Sequence, residues 1–265
     1  MKINSLFSVK GKTAIVTGGS RGIGEMIAAG FLANGVKVYI SARKAPALIE
    51  KANELAEKFQ QECIPIPCDL SDLEGVTSFV KEIKTKEESI DFLINNAGAA
   101  WGETFESFSE KGWDKVMDLN VKSMFFLTQQ LKTMLTKNAS LDDPSRVINI
   151  GSIDGLNVPA FETYSYSSSK AAVHHLTRVM ASKLVKENIL VNAIAPGPYP
   201  SEMLGSAVNS DYTEIEKRNP RKRIGSAEDI AGLVIFLCSR AGAYTVGETI
   251  TSDGGIVKTS SHNLG

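Results

Sequence analysis

The stretch Thr17-Gly18-Gly19-Ser20-Arg21-Gly22-Ile23-Gly24 decides how the rest of this chain is read. It follows directly on Thr13 to Thr17, a β-branched, apolar run of strand type, and a helical period of Ile23, Ile27 and Phe31 begins inside it. Strand, glycine loop and helix in that order suit a pyrophosphate. The glycines let the backbone turn tightly and come close to the anion, whose charge meets free N–H groups and the positive end of the helix dipole. The spacing is Gly-x-x-x-Gly-x-Gly rather than Gly-x-Gly-x-x-Gly, and a glycine-rich turn can also simply join two elements, so the loop points to a nucleotide without settling it.

Outward from this loop, short β-branched runs alternate with helical patterns to the end of the chain. The predicted strands are Thr13 to Thr17, Lys37 to Ser41, Cys63 to Cys68, Asp91 to Asn95, Arg146 to Ser152, Ile189 to Ala195 and Thr249 to Ser252. Each is apolar on both faces, as parallel strands covered by helices on both sides must be. One α/β domain over residues 1–265 is expected, a doubly wound parallel sheet of Rossmann type with strand order 3-2-1-4-5-6-7. Pro65 and Pro67 in the third strand cannot donate ladder hydrogen bonds, which suits the edge position this order gives that strand. Pro196 to Gly225 breaks the alternation and reads as an irregular lid or mobile loop.

Composition narrows the function. The 265 residues carry 29 Lys+Arg against 30 Asp+Glu, a net charge of −1, which supplies no basic field for nucleic acid or an anionic membrane. No apolar run approaches the roughly 20 residues of a bilayer span, and the start MKINSLFSVKGK lacks an apolar export core. A soluble, unexported, cytoplasmic protein is expected. Cys63, Cys68 and Cys238 form no Cys-x-x-Cys pair and read as reduced core residues. His174, His175 and His262 have no metal-ligand spacing, so no metal is expected.

The second strand should end beside an adenosine ribose, where an acid would accept from the 2′-hydroxyl. Val38 to Leu48 contains no acid and offers Arg43 and Lys44 instead. A guanidinium grips a 2′-phosphate that a carboxylate would repel, so NADP(H) is expected over NAD(H), with Arg21 in reach of the same phosphate. The alternative is that Arg43 and Lys44 are a solvated helix start.

After the fifth strand comes Gly151-Ser152, and then Tyr166-Ser167-Ser168-Ser169-Lys170 on the opening turn of a predicted helix. Positions i and i+4 share a face, and an ammonium beside a phenol is expected to lower its pKa toward working pH and make it a general acid/base. Tyr164 has Ser168 four residues on and no such activation.

With these residues the chain resembles the short-chain dehydrogenase/reductase family. The resemblance rests on Thr17 to Gly24, Asp69-Leu70, Asn95-Asn96-Ala97-Gly98, Leu119-Asn120-Val121, Ser152, Tyr166 with Lys170, and Pro196-Gly197, in that order. It continues through Gly225, Glu228-Asp229 and Asp253-Gly254-Gly255 and covers essentially the whole chain. It implies that Tyr166 exchanges a proton with a substrate oxygen held by Ser152. Lys170 would tune Tyr166 and bind the nicotinamide ribose, and Asn120 would shape its helix and place a relay water. For the cofactor it implies Gly18, Ser20, Arg21, Gly22, Ile23 and Gly24 at the pyrophosphate, Arg43 at the 2′-phosphate, and Asp69 with Leu70 at the adenine. Asn96, Ala97 and Gly98 would lie along the ribose, and Pro196 and Gly197 at the nicotinamide. Taken singly, Ser152 also reads as a strand-end cap, Asn120 as a satisfied polar residue and Asp69 as a helix N-cap.

The spacing from Ser152 to Tyr166 is long for the family, and Pro198-Tyr199-Pro200-Ser201 stands where an aliphatic residue and a Thr are usual, with Ser201 as a substitute hydroxyl. The pattern is most similar to 3-oxoacyl-thioester (acyl-carrier-protein) reductases, including a rhamnolipid-biosynthesis branch that shares Trp101-Gly102. Met203, Leu204, Val208 and Tyr212 are candidates for an acyl groove, and Lys132, Lys137, Lys183 and Lys186 either meet an acidic acyl carrier or are solvated faces. Rival readings are reduction of a sugar, steroid or small ketone, and a nucleotide sensor without turnover. The resemblance also implies a homo-oligomer, dimer or tetramer, paired through the helices after strands four and five.

Overall fold

Strands that are apolar on both faces can be buried only between two layers of helices, and the chain folds in that way. The computed structural model describes residues 2–159, 161–207 and 209–259. Val208, His262 and the side chain of Met203 lie outside the description. In chain order the elements are α1 (Ile3–Leu6), β1 (Thr13–Thr17), α2 (Gly22–Ala33), β2 (Lys37–Ala42), α3 (Ala45–Phe59), β3 (Cys63–Pro67), α4 (Leu73–Lys86), β4 (Phe92–Asn95), α5 (Glu110–Met117) and α6 (Ser123–Thr136). They continue with β5 (Ser145–Ile150), α7 (Tyr164–Leu184), β6 (Ile189–Pro196), α8 (Glu202–Ala207), α9 (Thr213–Arg218), α10 (Ala227–Cys238), β7 (Thr249–Ser252) and α11 (Ile256–Thr259).

The seven strands form one sheet in the order β3-β2-β1-β4-β5-β6-β7, parallel throughout. β3 is the edge, with Pro65 opposite Ile40 and Pro67 opposite Ala42. One face packs Phe31, Leu32, Leu48 and Ile230 of α2, α3 and α10, and the other packs Phe79, Leu131 and Val173 of α4, α6 and α7. Ile27 and Phe31 are buried, as the 3.6-residue period requires. Cys63 and Cys238 are buried free thiols, and burial pushes both up to about 12.

Arg146, read from sequence only as the start of a strand, is 2% exposed. Its guanidinium donates to the carbonyls of Leu237 at 3.1 Å and Ser239 at 3.2 Å, and to that of Pro144. The first two lie where α10 ends, so the negative pole of that helix takes the place of a carboxylate partner.

One expectation changes, and a choice left open between two readings is decided. Residues 196–225 are not irregular: they carry α8 and α9 and are tied down at several points. Gly225 N–H donates to the Pro198 carbonyl at 2.9 Å, and the buried Tyr199 shares a 2.6 Å hydrogen bond with Ser252 Oγ. A Cβ on Gly225 would stand 2.4 Å from the Tyr199 ring, which accounts for that glycine. Asn219 Nδ2 donates to the Asp253 carbonyl at 3.1 Å and packs on Gly254, so Asp253-Gly254-Gly255 is the seat on which this segment rests.

The four lysines considered for a carrier lie at the wrong edge. α6 and α7 run against the strands, so their last turns return to where strands begin. Tyr166 and Lys183 are 17 residues apart on one helix, about 26 Å along its axis. Lys132 is also paired with Glu187 at 2.9 Å, and Lys137 with Glu88 at 2.6 Å.

Candidate active site

Because the sheet is parallel, every strand ends at the same edge. The loops after β1, β2, β3, β4, β5 and β6 therefore bring the candidate residues together although they are spread over the whole chain. The sheet order reverses between β1 and β4, the crevice where ligands of such sheets bind.

The glycine loop after β1 is fixed by what a side chain would strike. Gly18 and Gly22 have φ of +65° and +56°, which L side chains rarely adopt. A Cβ on Gly24 would lie 2.3 Å from the Gly18 carbonyl oxygen and 2.4 Å from Asn96 Nδ2. Asn96 is the brace: its Nδ2 donates to the carbonyls of Thr17 at 2.8 Å and Gly18 at 3.2 Å, while Asn96 and Ala97 N–H both donate to Thr17 Oγ1 at 2.9 Å. The side chain of Asn96 thus shapes the loop from behind. Among the described residues no side chain caps α2, whose first N–H groups stay available to an anion. Ser20 and Ile23 flank this turn, half-buried. A cradle filled by a single Cβ, with an uncapped helix start behind it, fits a dinucleotide pyrophosphate.

Arg43 and Lys44 are exposed at the end of β2 and, among the described residues, have no carboxylate partner. Arg21 is instead ion-paired with Glu202 at the start of α8. Ser201 Oγ accepts from Leu204 N–H at 3.2 Å and so caps α8, with its Cβ close above Gly22. Residues 201–202 therefore lie across the glycine loop. After β3, Leu70 is buried and Asp69 is exposed, its carboxylate accepting from Ser71 N–H at 3.0 Å. The N-cap of α4 is Asp72, accepting from Gly75 N–H at 2.8 Å, so the capping alternative for Asp69 falls away.

Between α5 and α6 the helix widens into a π turn over Asp118–Lys122, with Asn120 buried at its centre. Such turns shift a side chain out of the ordinary helical register. Asn120 accepts from Ala99 N–H at 2.8 Å and donates to the Ala99 carbonyl and Ser169 Oγ, both at 2.9 Å. It clamps the end of Asn96-Ala97-Gly98-Ala99 to the turn carrying Tyr166, and a Cβ on Gly98 would approach its Oδ1 to 3.1 Å. Sequence reading missed the support beneath. Asn95 Nδ2 donates to Asn149 Oδ1 at 2.9 Å and to Thr128 Oγ1 at 3.1 Å, and Asn149 Nδ2 donates to Thr177 Oγ1 at 2.9 Å. This polar ladder ties β4, β5, α6 and α7 together under the site, and two asparagines at matching strand ends were its only visible sign.

β5 stops at Ile150, two residues short of the prediction, because Ser152 turns out into a 3₁₀ turn over Ile153–Gly155. Tyr166 sits on the first turn of α7 as expected, and Ser152 Oγ accepts from Asp154 N–H at 3.1 Å. Lys170 is 5% exposed. Its Nζ donates to the Ile150 carbonyl at 2.8 Å and lies 5.5 Å from the centre of the Tyr166 ring. The expected effect of Lys170 on the phenol is not what this geometry gives. Burial pushes the Tyr166 phenol up to about 12, with the Ser152 hydroxyl pulling down and the Asp154 carboxylate pushing up. Burial also lowers Lys170 to about 8, against the pull of Asp154. Desolvation of the phenolate is the largest cause, and Lys170, itself desolvated and turned to the Ile150 carbonyl, is not among the groups that shift it. The protonated phenol is thus the resting form, ready to act as an acid. After β6, Gly197 N–H donates to Ser252 at 3.0 Å, and a Cβ there would meet Asp253 at 2.8 Å, so Pro196-Gly197 lies flat along the floor of the crevice. Tyr164 points away, bonded to Glu162 at 2.9 Å and packed edge-on against Phe105 and Phe108. Trp101 stacks under the Lys115 ammonium at 4.6 Å.

Asp154 carries a pH consequence. Its negative charge holds both Tyr166 and Lys170 above where they would otherwise titrate. Asp154→Asn removes that charge, so the phenolate forms at lower pH. The rising limb of the kcat profile for alcohol oxidation, and the falling limb for carbonyl reduction, should both move to lower pH. Unmoved limbs in both directions would show that Asp154 does not act on Tyr166.

A glycine cradle at the switch point, with a half-buried tyrosine one turn before a buried lysine and a serine at the neighbouring strand end, defines a dinucleotide-dependent oxidoreductase site. The family model described as enoyl-(acyl carrier protein) reductase matches residues 18–257. The rhamnolipids biosynthesis 3-oxoacyl-[acyl-carrier-protein] reductase of Pseudomonas aeruginosa is 44% identical over 251 residues, 94% of this chain and 97% of that protein. A solved structure described as the Pseudomonas aeruginosa RhlG/NADP active-site complex superposes with a TM-score of 0.90 at 43% identity, covering 95% of this chain and 98% of that one. The 2-dehydro-3-deoxy-D-gluconate 5-dehydrogenase of Dickeya dadantii is 35% identical over 96% of this chain and 98% of its own length. The chain belongs to the short-chain dehydrogenase/reductase family.

Proposed function

We propose that this protein is an NADP(H)-dependent reductase of 3-oxoacyl thioesters, carried on acyl carrier protein or coenzyme A, which it converts to the 3-hydroxyacyl form. The observation that carries the reading is the buried Lys170 ammonium, 5.5 Å from the centre of the Tyr166 ring and bonded to the Ile150 carbonyl two residues before the buried Ser152. Reduction places a hydride on the carbonyl carbon, which the nicotinamide cofactor supplies when bound, and a proton on the oxygen. Ser152 holds that oxygen, and Tyr166, protonated at rest, donates the proton. Lys170 holds the cofactor ribose, and Asn120 keeps the main chain around Ala99 and the Tyr166 turn in register. Gly18, Ser20, Arg21, Gly22, Ile23 and Gly24 receive the pyrophosphate, Asp69 and Leu70 the adenine, Asn96, Ala97 and Gly98 the ribose side, and Pro196 and Gly197 the nicotinamide.

The thioester is favoured by the 44% identity to a 3-oxoacyl-[acyl-carrier-protein] reductase. The second reading, a sugar-acid dehydrogenase, is favoured by the 35% identity to a gluconate-type enzyme. NADPH oxidation measured with acetoacetyl thioesters against a panel of sugar acids, steroids and small ketones separates them. Activity on a sugar acid alone overturns the thioester reading. Tight NADPH binding without turnover on any carbonyl leaves only a nucleotide sensor.

The segment 196–225 acts as the substrate lid of a single domain, over a site open at the strand ends. A carrier would approach this edge, where Arg218, Arg221 and Lys222 are exposed, none with a carboxylate partner among the described residues. Copies of the chain assemble as a homotetramer or dimer through α6 and α7, consistent with the exposed Val179 on α7. No described helix is long and apolar enough to cross a membrane. The protein works in the cytoplasm without nucleic acid or membrane partners, in keeping with its charge balance. With Arg21 engaged by Glu202, Arg43 and Lys44 are the cations left beside the 2′-phosphate, and Arg43 offers the planar fork that grips it. Arg43→Ala is expected to lower the preference for NADPH over NADH, read as the ratio of kcat/KM values, by about 10- to 100-fold, the worth of a charge-assisted fork. An unchanged ratio removes Arg43 from the cofactor site.

A further inference from the structure

His174 has no place in the chemistry described so far, yet it lies beside it. It is one helical turn beyond Lys170 on α7 and 4% exposed, and neither ring nitrogen has a hydrogen-bond partner among the described residues. An imidazole buried in this state weakens the fold rather than supporting it. Burial first, and then the Lys170 ammonium, lower His174 to about 4, while the main chain of Gly155 favours the charged ring and Arg178 opposes it. The ring is therefore neutral at working pH and adds no second charge beside Lys170.

Its position gives it a task. The β5–β6 ladder ends at the pair Ile150 with Ile194, and Gly151 N–H makes one more bond, to the Ile194 carbonyl at 2.7 Å. The sheet therefore holds Ile150, and through it Lys170, whereas Ser152 hangs beyond the last rung. On the far side, Gly155 N–H donates to the Ser152 carbonyl at 3.1 Å, and Gly155 is seated on the main chain of Lys170 and Ala171, where a Cβ would come within 2.6 Å. On the near side, the ring of His174 presses on Gly151 so closely that a Cβ there would lie 2.1 Å from Nε2. The turn that carries Ser152 is thus gripped at both ends by α7, the helix that carries Tyr166.

The geometry points to His174 as a positioning residue that sets the Ser152 hydroxyl against Tyr166 through its contact with Gly151. The inference rests on the roles proposed above for Ser152 and Tyr166. It requires that replacing the ring by a flexible aliphatic side chain of different shape changes the contact on Gly151 and lets Gly151 and Ser152 drift while leaving the dinucleotide cradle intact.

The test is a double-mutant cycle on carbonyl reduction. His174→Leu should lower kcat by about tenfold or more, the scale of a small misplacement of a reacting group, with KM for NADPH within about twofold. In a Ser152→Ala background, where no hydroxyl is left to align, the same replacement should lower the residual kcat by less than about twofold. The pH limbs of kcat should stay in place, because His174 passes no proton. An equal loss in both backgrounds assigns His174 a general packing role and overturns the inference. So does a fully active His174→Leu, or a shifted pH limb. A fully active Ser152→Ala overturns the site reading itself, a separate failure. If His174→Leu does not fold, judged by thermal unfolding, His174→Asn goes through the same cycle and is read by the same outcomes.

Discussion

Tyr166→Phe is expected to lower kcat for carbonyl reduction by about 10³-fold, within the range lost with a positioned general acid, and to leave NADPH affinity within about twofold. The substitution removes one hydroxyl from a ring whose other contacts stay in place. The oxygen developing negative charge then keeps the Ser152 hydrogen bond but has no acid to receive a proton from. Lys170 does not replace the lost acid, because its Nζ is turned to the Ile150 carbonyl and, in this reading, to the cofactor ribose rather than to the substrate oxygen. Turnover is read from nicotinamide absorbance at saturating substrate, and binding from nicotinamide fluorescence. A variant that turns over at the parent rate ends the Tyr166 assignment, and one that also loses NADPH binding shows that the ring supports the cradle rather than the chemistry.

Gly24→Ala should weaken NADPH binding by about 100-fold or more and lower stability by about 1–3 kcal/mol, the range for overpacking a close backbone contact. The added methyl meets the Gly18 carbonyl at 2.3 Å and Asn96 Nδ2 at 2.4 Å, and neither is the free end of a flexible side chain. One must give way. If the Gly18 peptide moves, the turn at φ +65° is lost, and if Asn96 moves, its hydrogen bonds to Thr17 and Gly18 break. Isothermal titration with NADPH and thermal unfolding measure the two effects separately. Unchanged affinity would mean that the pyrophosphate does not rest on this loop.

Most of the fold was legible because its signals are local. Two-sided apolar runs need helices on both faces, and prolines in the third run need an edge, so sheet order followed from composition and position together. The site was legible where residue type is itself the chemistry: glycines at a turn, a phenol and an ammonium at i and i+4. Other features left no local mark. Nothing in Arg146 announces that three main-chain carbonyls will surround it, and nothing in Asn219 announces Asp253 as its seat. Residues 196–225 were misread as irregular because proline and charge hide two helices of six residues each.

What the chain's own pattern determined is the sheet, its order and the set of side chains gathered at one edge, since period, glycine and proline act over a few residues. Only the tertiary structure decided what those side chains experience. The phenol of Tyr166 is pushed up by burial, Arg21 is held by Glu202, and the candidate carrier lysines face the far end of the molecule. Desolvation and direction are properties of the space around a group, and that space is filled by residues distant in sequence.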